Sequence, residues 1–277
     1  MTNHNLLLYA SLEGSQPAIG SAAFAINAAA ALGAHLNILA PHVDVRTPDN
    51  WGSRTAEQIE RDDKERHNKL TGLVESILAK AHANAVSASG QTDWAHAFGP
   101  IPFVGDQAKL HDLVIMGTDQ SIFLSERKFA EHVLIEAGRP VVFVPPDHAG
   151  SFSCKRVTVA WDHTRSAARA LHDALPLLRL AEEVILTVIG GEKQFQTNPD
   201  ATTIEGALSR KGLNARLEQV DLGQRTIGQA LQHEALANEA DLLVMGAYGH
   251  SRLREFILGG ATREVLENPR LPVLMSH

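Results

Sequence analysis

The sequence predicts an α/β protein built twice. Three observations lead there. Asp112-Leu-Val-Ile-Met-Gly117 recurs as Asp241-Leu-Leu-Val-Met-Gly246. Each copy is followed by an apolar run behind a proline, Pro140-Val-Val-Phe-Val144 and Pro272-Val-Leu-Met275. Around these landmarks, continuous Val/Ile/Leu runs alternate with helical patterns, as in a parallel sheet covered on both faces. Five strand-like runs per half predict a five-stranded parallel sheet in each. The polar break between the halves favours two sheets over a single ten-stranded one.

In the first half, strands are expected at 6–10 and 36–40, around an alanine-rich helix at 18–32 that Gly33 stops. Residues 41–52 are polar, carry Pro48 and Trp51, and read as a loop. A long charged helix follows at 56–83, with Leu70, Leu73, Val74, Ile77 and Leu78 as its apolar stripe. A weak strand at 85–89, a short helix at 104–110, a strand at 113–116, a helix at 128–137 and a strand at 141–144 complete this half. Residues 145–153 are punctuated by Pro, Gly and Ser and read as a linker, dividing the chain into 1–146 and 154–277.

The second half repeats the order. Strands are expected at 157–160, 184–189, 215–220, 242–245 and 273–275, and helices at 167–180, 203–211, 226–237 and 262–268. The turn 162–166 holds several candidate helix caps.

Bulk composition narrows the function. The chain has 277 residues, 44% of them hydrophobic, enough for each half to bury a core. A net charge of -7 argues against a nucleic-acid partner, which needs a basic face. The single cysteine, Cys154, excludes an intrachain disulfide and suits a reducing cytosol. It reads as an inert residue at a strand start. The N-terminal apolar run is too short for a signal-peptide core, and no apolar stretch reaches membrane-spanning length, so a cytoplasmic protein is expected. The 14 histidines are dispersed without metal-ligand spacing, so no metal site is expected. There is no Walker lysine loop, nucleophile elbow or dinucleotide fingerprint, which favours binding over turnover.

Only the second copy of the repeat continues into a glycine-spaced loop: Gly246, Gly249, Gly259 and Gly260. The first pair follows a strand and the second precedes a helix. Glycine lets backbone amides approach a ligand closely, and amides at a helix start attract anions. Leu253, Phe256, Ile257 and Leu258 can pin the spacer to the core. Glycine pairs also serve as plain turn residues. Asp162, at a strand end opposite the loop, is either a cap or turn residue or a ligand contact. Arg252 and Arg254 read as solvated spacer residues or phosphate guides, His250 as an exposed loop residue or a phosphate contact, and Trp161 as a packing residue before one that stacks on a base.

Met245-Gly246-Ala-Tyr-Gly249-x9-Gly259-Gly260 resembles the glycine loop of the universal stress protein family, and the resemblance spans the chain as two tandem copies. It implies two Rossmann-like domains, of which one subgroup of the family binds ATP, and pairing of domains through their final strands. A tandem chain could meet that pairing within itself, and association into a homodimer stays open. By the resemblance, Gly246, Gly249, Gly259 and Gly260 surround phosphates and ribose. Asp162 and Ala160 lie at a nucleotide-contacting strand end, Ile189 lies beside the adenine, and Met245 and Ala261 flank the glycines. ATP or a related adenine nucleotide, with Mg2+ on its phosphates, is the implied ligand. The family has Ser or Thr where this chain has Gly260, and Thr262 is the nearest hydroxyl to replace it.

The first half departs further. Gly117-Thr-Asp-Gln120 lacks the second glycine, Phe129-Ala-Glu-His132 replaces the glycine pair, and Ser11-Leu12-Glu13 has no aspartate matching Asp162. No nucleotide is expected there. The combined expectation is a regulatory stress-response protein binding nucleotide in its second half. The alternatives are a nucleotide-free scaffold and a slow ATPase.

Overall fold

The computed structural model describes residues 4–12, 19–41, 55–92, 100–118, 133–135, 137–148, 152–190, 200–247 and 260–277. The first half contributes β1 (Asn5–Tyr9), α1 (Ile19–Leu32), β2 (His35–Leu39), α2 (Ala56–Ala83), β3 (Ala88–Gln91), α3 (Pro100–Ala108), β4 (Leu113–Gly117) and β5 (Val141–Val144). The second contributes β6 (Arg156–Ala160), α4 (Arg165–Asp173), α5 (Leu175–Leu178), β7 (Glu183–Gly190), α6 (Ala201–Ser209) and β8 (Ala215–Asp221). It ends with α7 (Ile227–Ala237), β9 (Leu242–Gly246), α8 (Gly260–Glu267) and β10 (Val273–Ser276).

The strands form one ten-stranded sheet, ordered β3-β2-β1-β4-β5-β10-β9-β6-β7-β8, rather than the two separate sheets expected. Each half threads its own five parallel strands identically. The halves meet where β5 and β10 pair antiparallel, Val273 opposite Phe143 and Met275 opposite Val141. Every residue of both strands is buried. Left as free edges, these apolar strands would expose unpaired backbone groups and invite aggregation. The polar break that suggested separate sheets does not stand off from the fold: Phe152 packs edge-to-face on Phe24 of α1, ring centroids 5.1 Å apart. The carbonyl of His148 lies 3.2 Å from where a Cβ on Gly20 would stand.

Two apolar layers cover the sheet, one on each face, and both cross the junction. One joins Leu6, Leu8, Val142 and Val144 to Val157, Val159 and Leu274. The other joins Leu7, Met116, Val141 and Phe143 to Met245, Val273 and Met275. A polar tie reinforces the junction. Arg169 on α4 donates to the carbonyl of Gly138 at 3.3 Å and to Asp173 at 2.9 Å. Asp173 also accepts from the hydroxyl of Ser276 on β10.

The repeated Asp-Leu-x-x-Met-Gly run has a physical role at its first residue. Asp112 accepts the backbone N–H of Asn5 at 2.9 Å. Asp241 accepts the N–H groups of Lys155 and Arg156 at 2.7 and 3.0 Å. Each aspartate thus fastens the start of the first strand of its half to the start of the fourth.

Several boundaries differ from expectation. The helix expected over 167–180 starts earlier and divides at Ala174 into α4 and α5, because Pro176 has no N–H to continue the ladder. The strand expected at 85–89 begins at Ala88, because Ala85 adopts a left-handed conformation with φ 56° after the helix end. Helix α3 begins at Pro100, where proline suits a first turn. The last helix begins at Gly260, so Gly260 and Ala261 form its first turn rather than preceding it. Of the helix expected at 128–137, residues 133–135 are helical and most of the rest lies outside the described residues, as does nearly all of the loop 41–52.

Two outcomes are expected. Asp241→Ala removes an acceptor of two backbone donors and should destabilise by about 1.5–3 kcal/mol in urea unfolding. His111, buried at 7% exposure with Nδ1 donating to the carbonyl of Gln107 at 2.7 Å, has its pKa held below the ordinary 6.5 by burial. The unfolded chain therefore binds a proton there first, and this contribution to stability, present above pH 6.5, is lost as pH falls through the folded pKa. The slope of unfolding free energy as pH falls below the ordinary histidine value should flatten in His111→Gln.

Candidate functional site

In an open α/β sheet, ligands collect outside the carboxyl ends of the strands where the strand order reverses. In the second half that point lies between β6 and β9. Ala160 ends β6, Gly246 ends β9, and Asp162 follows β6.

Asp162 is exposed, and its carboxylate Oδ1 accepts the backbone N–H of Thr164 at 3.0 Å and the Thr164 hydroxyl at 2.5 Å. Thr164 Oγ1 in turn accepts the N–H of Ala167 at 3.2 Å and caps α4. Asp162 is thus the turn residue that orients the cap. His163 between them takes a left-handed conformation with φ 60°. Trp161 is held by its neighbours: Nε1 donates to His163 Nδ1 at 3.3 Å, and the indole packs against the core.

Gly246 is required by packing. A Cβ there would stand 2.5 Å from the carbonyl carbon of Ser166 and 2.7 Å from the nitrogen of Ala167. Only glycine lets the start of α4 settle on the end of β9. The next residue, Ala247, donates its N–H to Ser276 at 2.7 Å and accepts from the ring of His277 at 3.0 Å. Gly260 is the opposite case: it is exposed, and a Cβ there would meet nothing within 4 Å among the described residues. Thr262 is buried at 4% exposure, so it does not replace a hydroxyl on the open side of the first turn.

Met245, Ala160, Ile189 and Ala261 belong to one apolar layer: Met245 is buried in it, and the other three pack half-buried against it. The register puts Ala160 opposite Thr187, and Thr187 opposite Glu218. The matching row of the first half is Met116, Tyr9, Leu39 and Gln91. Where the second half has the methyl of Ala160, the first half has the half-buried phenol of Tyr9. Reading the copies outward from their clamping aspartates, Leu7-Leu8-Tyr9 against Thr158-Val159-Ala160, exposes this difference; the glycine pattern alone misses it.

Gly249 and Gly259 lie outside the described residues, with His250, Arg252, Leu253, Arg254, Phe256, Ile257 and Leu258. Among the described residues there is no group of three His, Cys, Asp or Glu side chains that could hold a metal. Likewise, no described helix is long and apolar enough to cross a membrane. Cys154 is buried, donates to the carbonyl of Leu177 at 3.4 Å, and has its thiol pushed up to about 12 by burial, too high to ionise at neutral pH.

A cavity of about 460 Å³ lies at the other end of the second half's sheet, lined by Lys155, Arg156, Glu182, Glu183, Glu239 and Asp241. These residues sit at strand starts, and their charges are largely paired. Arg156 meets Glu183 at 3.1 Å and Glu239 at 3.0 Å, while Arg216 meets Glu183 at 2.9 Å. The hydrogen bond from Arg216 is foremost in holding the Glu183 carboxyl below the usual range. Topology and satisfied charges both favour the switch point over this cavity as the ligand site.

The fold is that of a doubly wound α/β protein whose two parallel sheets join edge to edge. Residues 153–277 match the model of the universal stress protein family. It is 28% identical over 151 residues to the universal stress protein Slr1230 of Synechocystis sp., covering 52% of this chain. The chain spans about half the length of that curated relative, 49%. Among solved structures, a universal stress protein of Archaeoglobus fulgidus superposes with a TM-score of 0.72 at 16% identity, covering 98% of this chain and 95% of that one. A Pseudomonas aeruginosa protein of unknown function gives 0.61 at 15% identity, covering 99% and 92%. At such identities the likeness concerns the fold, and it extends over both halves.

The two glycines separate experimentally. Gly246→Ala drives a methyl into the backbone of α4 and should cost about 1–3 kcal/mol. Gly260→Ala meets open space at a helix start and should be neutral or stabilising by roughly 0.5–1 kcal/mol. Thermal and urea unfolding of both variants check this pair.

Proposed function

We propose that the chain is a regulatory stress-response protein that binds ATP or a related adenine nucleotide in its second unit, residues 154–277. The unit 1–146 is then a nucleotide-free partner joined through β5 and β10. The observation that carries this reading is the contrast at the switch point. The second half pairs the small Ala160 with a first turn of α8 that no described residue obstructs at Gly260, whereas the first half fills the equivalent strand end with Tyr9. The apolar residues Ala160, Ile189, Met245 and Ala261 suit one side of a base. The N-terminal amides of α8 suit phosphate. Gly249 and Gly259 would complete the phosphate loop, and Asp162 would stand at its rim. Mg2+ would accompany the phosphates as counter-ion, without a dedicated protein site. The match of residues 153–277 to the universal stress protein family model supports the same reading. The absence of a Walker lysine in the sequence favours sensing over catalysis.

Calorimetric titration of the full chain with Mg-ATP tests this. Binding in the micromolar range is expected, on the order of -8 kcal/mol. Ala160→Tyr, which copies the first half, should abolish it while leaving the fold intact by circular dichroism. Gly260→Ser should restore a hydroxyl beside the phosphates and tighten binding about tenfold or more. Wild-type protein that takes up no nucleotide at millimolar ATP would instead be a nucleotide-free scaffold.

A further inference from the structure

We infer that Thr187, backed by Thr158, reads the polar edge of the bound base; the inference rests on the nucleotide reading above. Thr158 and Thr187 are 0% and 1% exposed, and among the described residues their hydroxyls have no hydrogen-bond partner. A buried hydroxyl without a partner is costly, whereas an apolar side chain of the same shape avoids that cost. The first half shows that the fold accepts apolar residues at both positions. Register places Leu7 where Thr158 stands and Leu39 where Thr187 stands, and both leucines are buried. The two hydroxyls therefore belong to the half with the open strand end.

Their position fits a base reader. Thr187 is the register partner of Ala160 on β6, and Ile189 follows it on the same face of β7. Ala160 and Ile189 are only half-buried, so they form the accessible margin beside Thr187. A threonine hydroxyl both donates and accepts, so it can meet a ring nitrogen or an exocyclic amino group. Phosphate is served elsewhere, by the start of α8. The ligand class is thus a nucleotide whose heterocyclic base carries a hydrogen-bonding edge, with Thr187 tuning selectivity for the base rather than for the phosphate chain.

Titrations of the full chain with ATP and with inorganic tripolyphosphate, for wild type, Thr187→Val and Thr187→Ser, test the inference. Thr187→Val should weaken ATP about five- to tenfold and leave tripolyphosphate unchanged. Thr187→Ser, which keeps the hydroxyl, should stay close to wild type for both ligands. Without ligand, Thr187→Val should melt at a higher temperature than wild type, because the unsatisfied hydroxyl is gone. Wild-type ATP affinity in Thr187→Val overturns the inference while leaving the nucleotide reading standing. Equal weakening of ATP and tripolyphosphate, or a Thr187→Ser variant as weak as Thr187→Val, overturns it too. A wild-type protein that binds no ATP removes the nucleotide reading and this inference together.

Discussion

Pairing of β5 with β10 is the constraint on which the rest of the molecule depends. Both strands are buried throughout, so neither half could present its last strand to water without exposing apolar surface and an unpaired backbone edge. Joining them antiparallel makes one sheet of ten strands and lets the apolar layer on each face run uninterrupted between the halves. The open edges of the combined sheet are then β3 and β8, which are short or charged. Three of the four β3 residues are exposed, and β8 carries Arg216, Glu218 and Asp221. These edges carry the polarity that discourages further pairing.

The candidate site is joined to this junction by one helix. The start of α4 is pressed onto Gly246, and its cap is oriented by Asp162 through Thr164. Farther along the same helix, Arg169 and Asp173 reach Gly138 of the first half and Ser276 on β10. A shift of the α4 start would be felt at the contact between halves, because the helix is packed at both ends. Duplication followed by divergence explains the asymmetry. The halves share the aspartate clamp and the strand order, and they differ at the strand ends where a ligand would lie.

Much of the architecture was legible in the sequence because it rests on local chemistry. Helix α2 is legible at its observed bounds through its apolar stripe, which faces the core from Leu70 onward; the structure adds a capping box of Thr55 and Gln58 at its start. Gly33 and β5 were legible for the same reason: a left-handed stop with φ 60° and a fully buried apolar run. The α4–α5 break is not legible from the apolar spacing, which continues across Pro176. At the site, the glycines were legible as a pattern but their distinct roles were not. Gly246 answers a contact with Ser166 and Ala167 that are distant in sequence, whereas Gly260 answers to no contact among the described residues.

The sequence by itself determined the duplication, the alternation of strand and helix, and the half that carries the glycine spacing, because each is written in neighbouring residues. The tertiary structure alone decided that ten strands share one sheet, since edge pairing joins β5 and β10, which are separated by nearly the whole of the second half of the chain. It also decided that Asp162 orients a cap, and that Tyr9 and Ala160 occupy equivalent strand ends. Whether a glycine packs against a helix, or a hydroxyl is buried without a partner, depends on which residues the fold brings together. Local spacing carries no record of that.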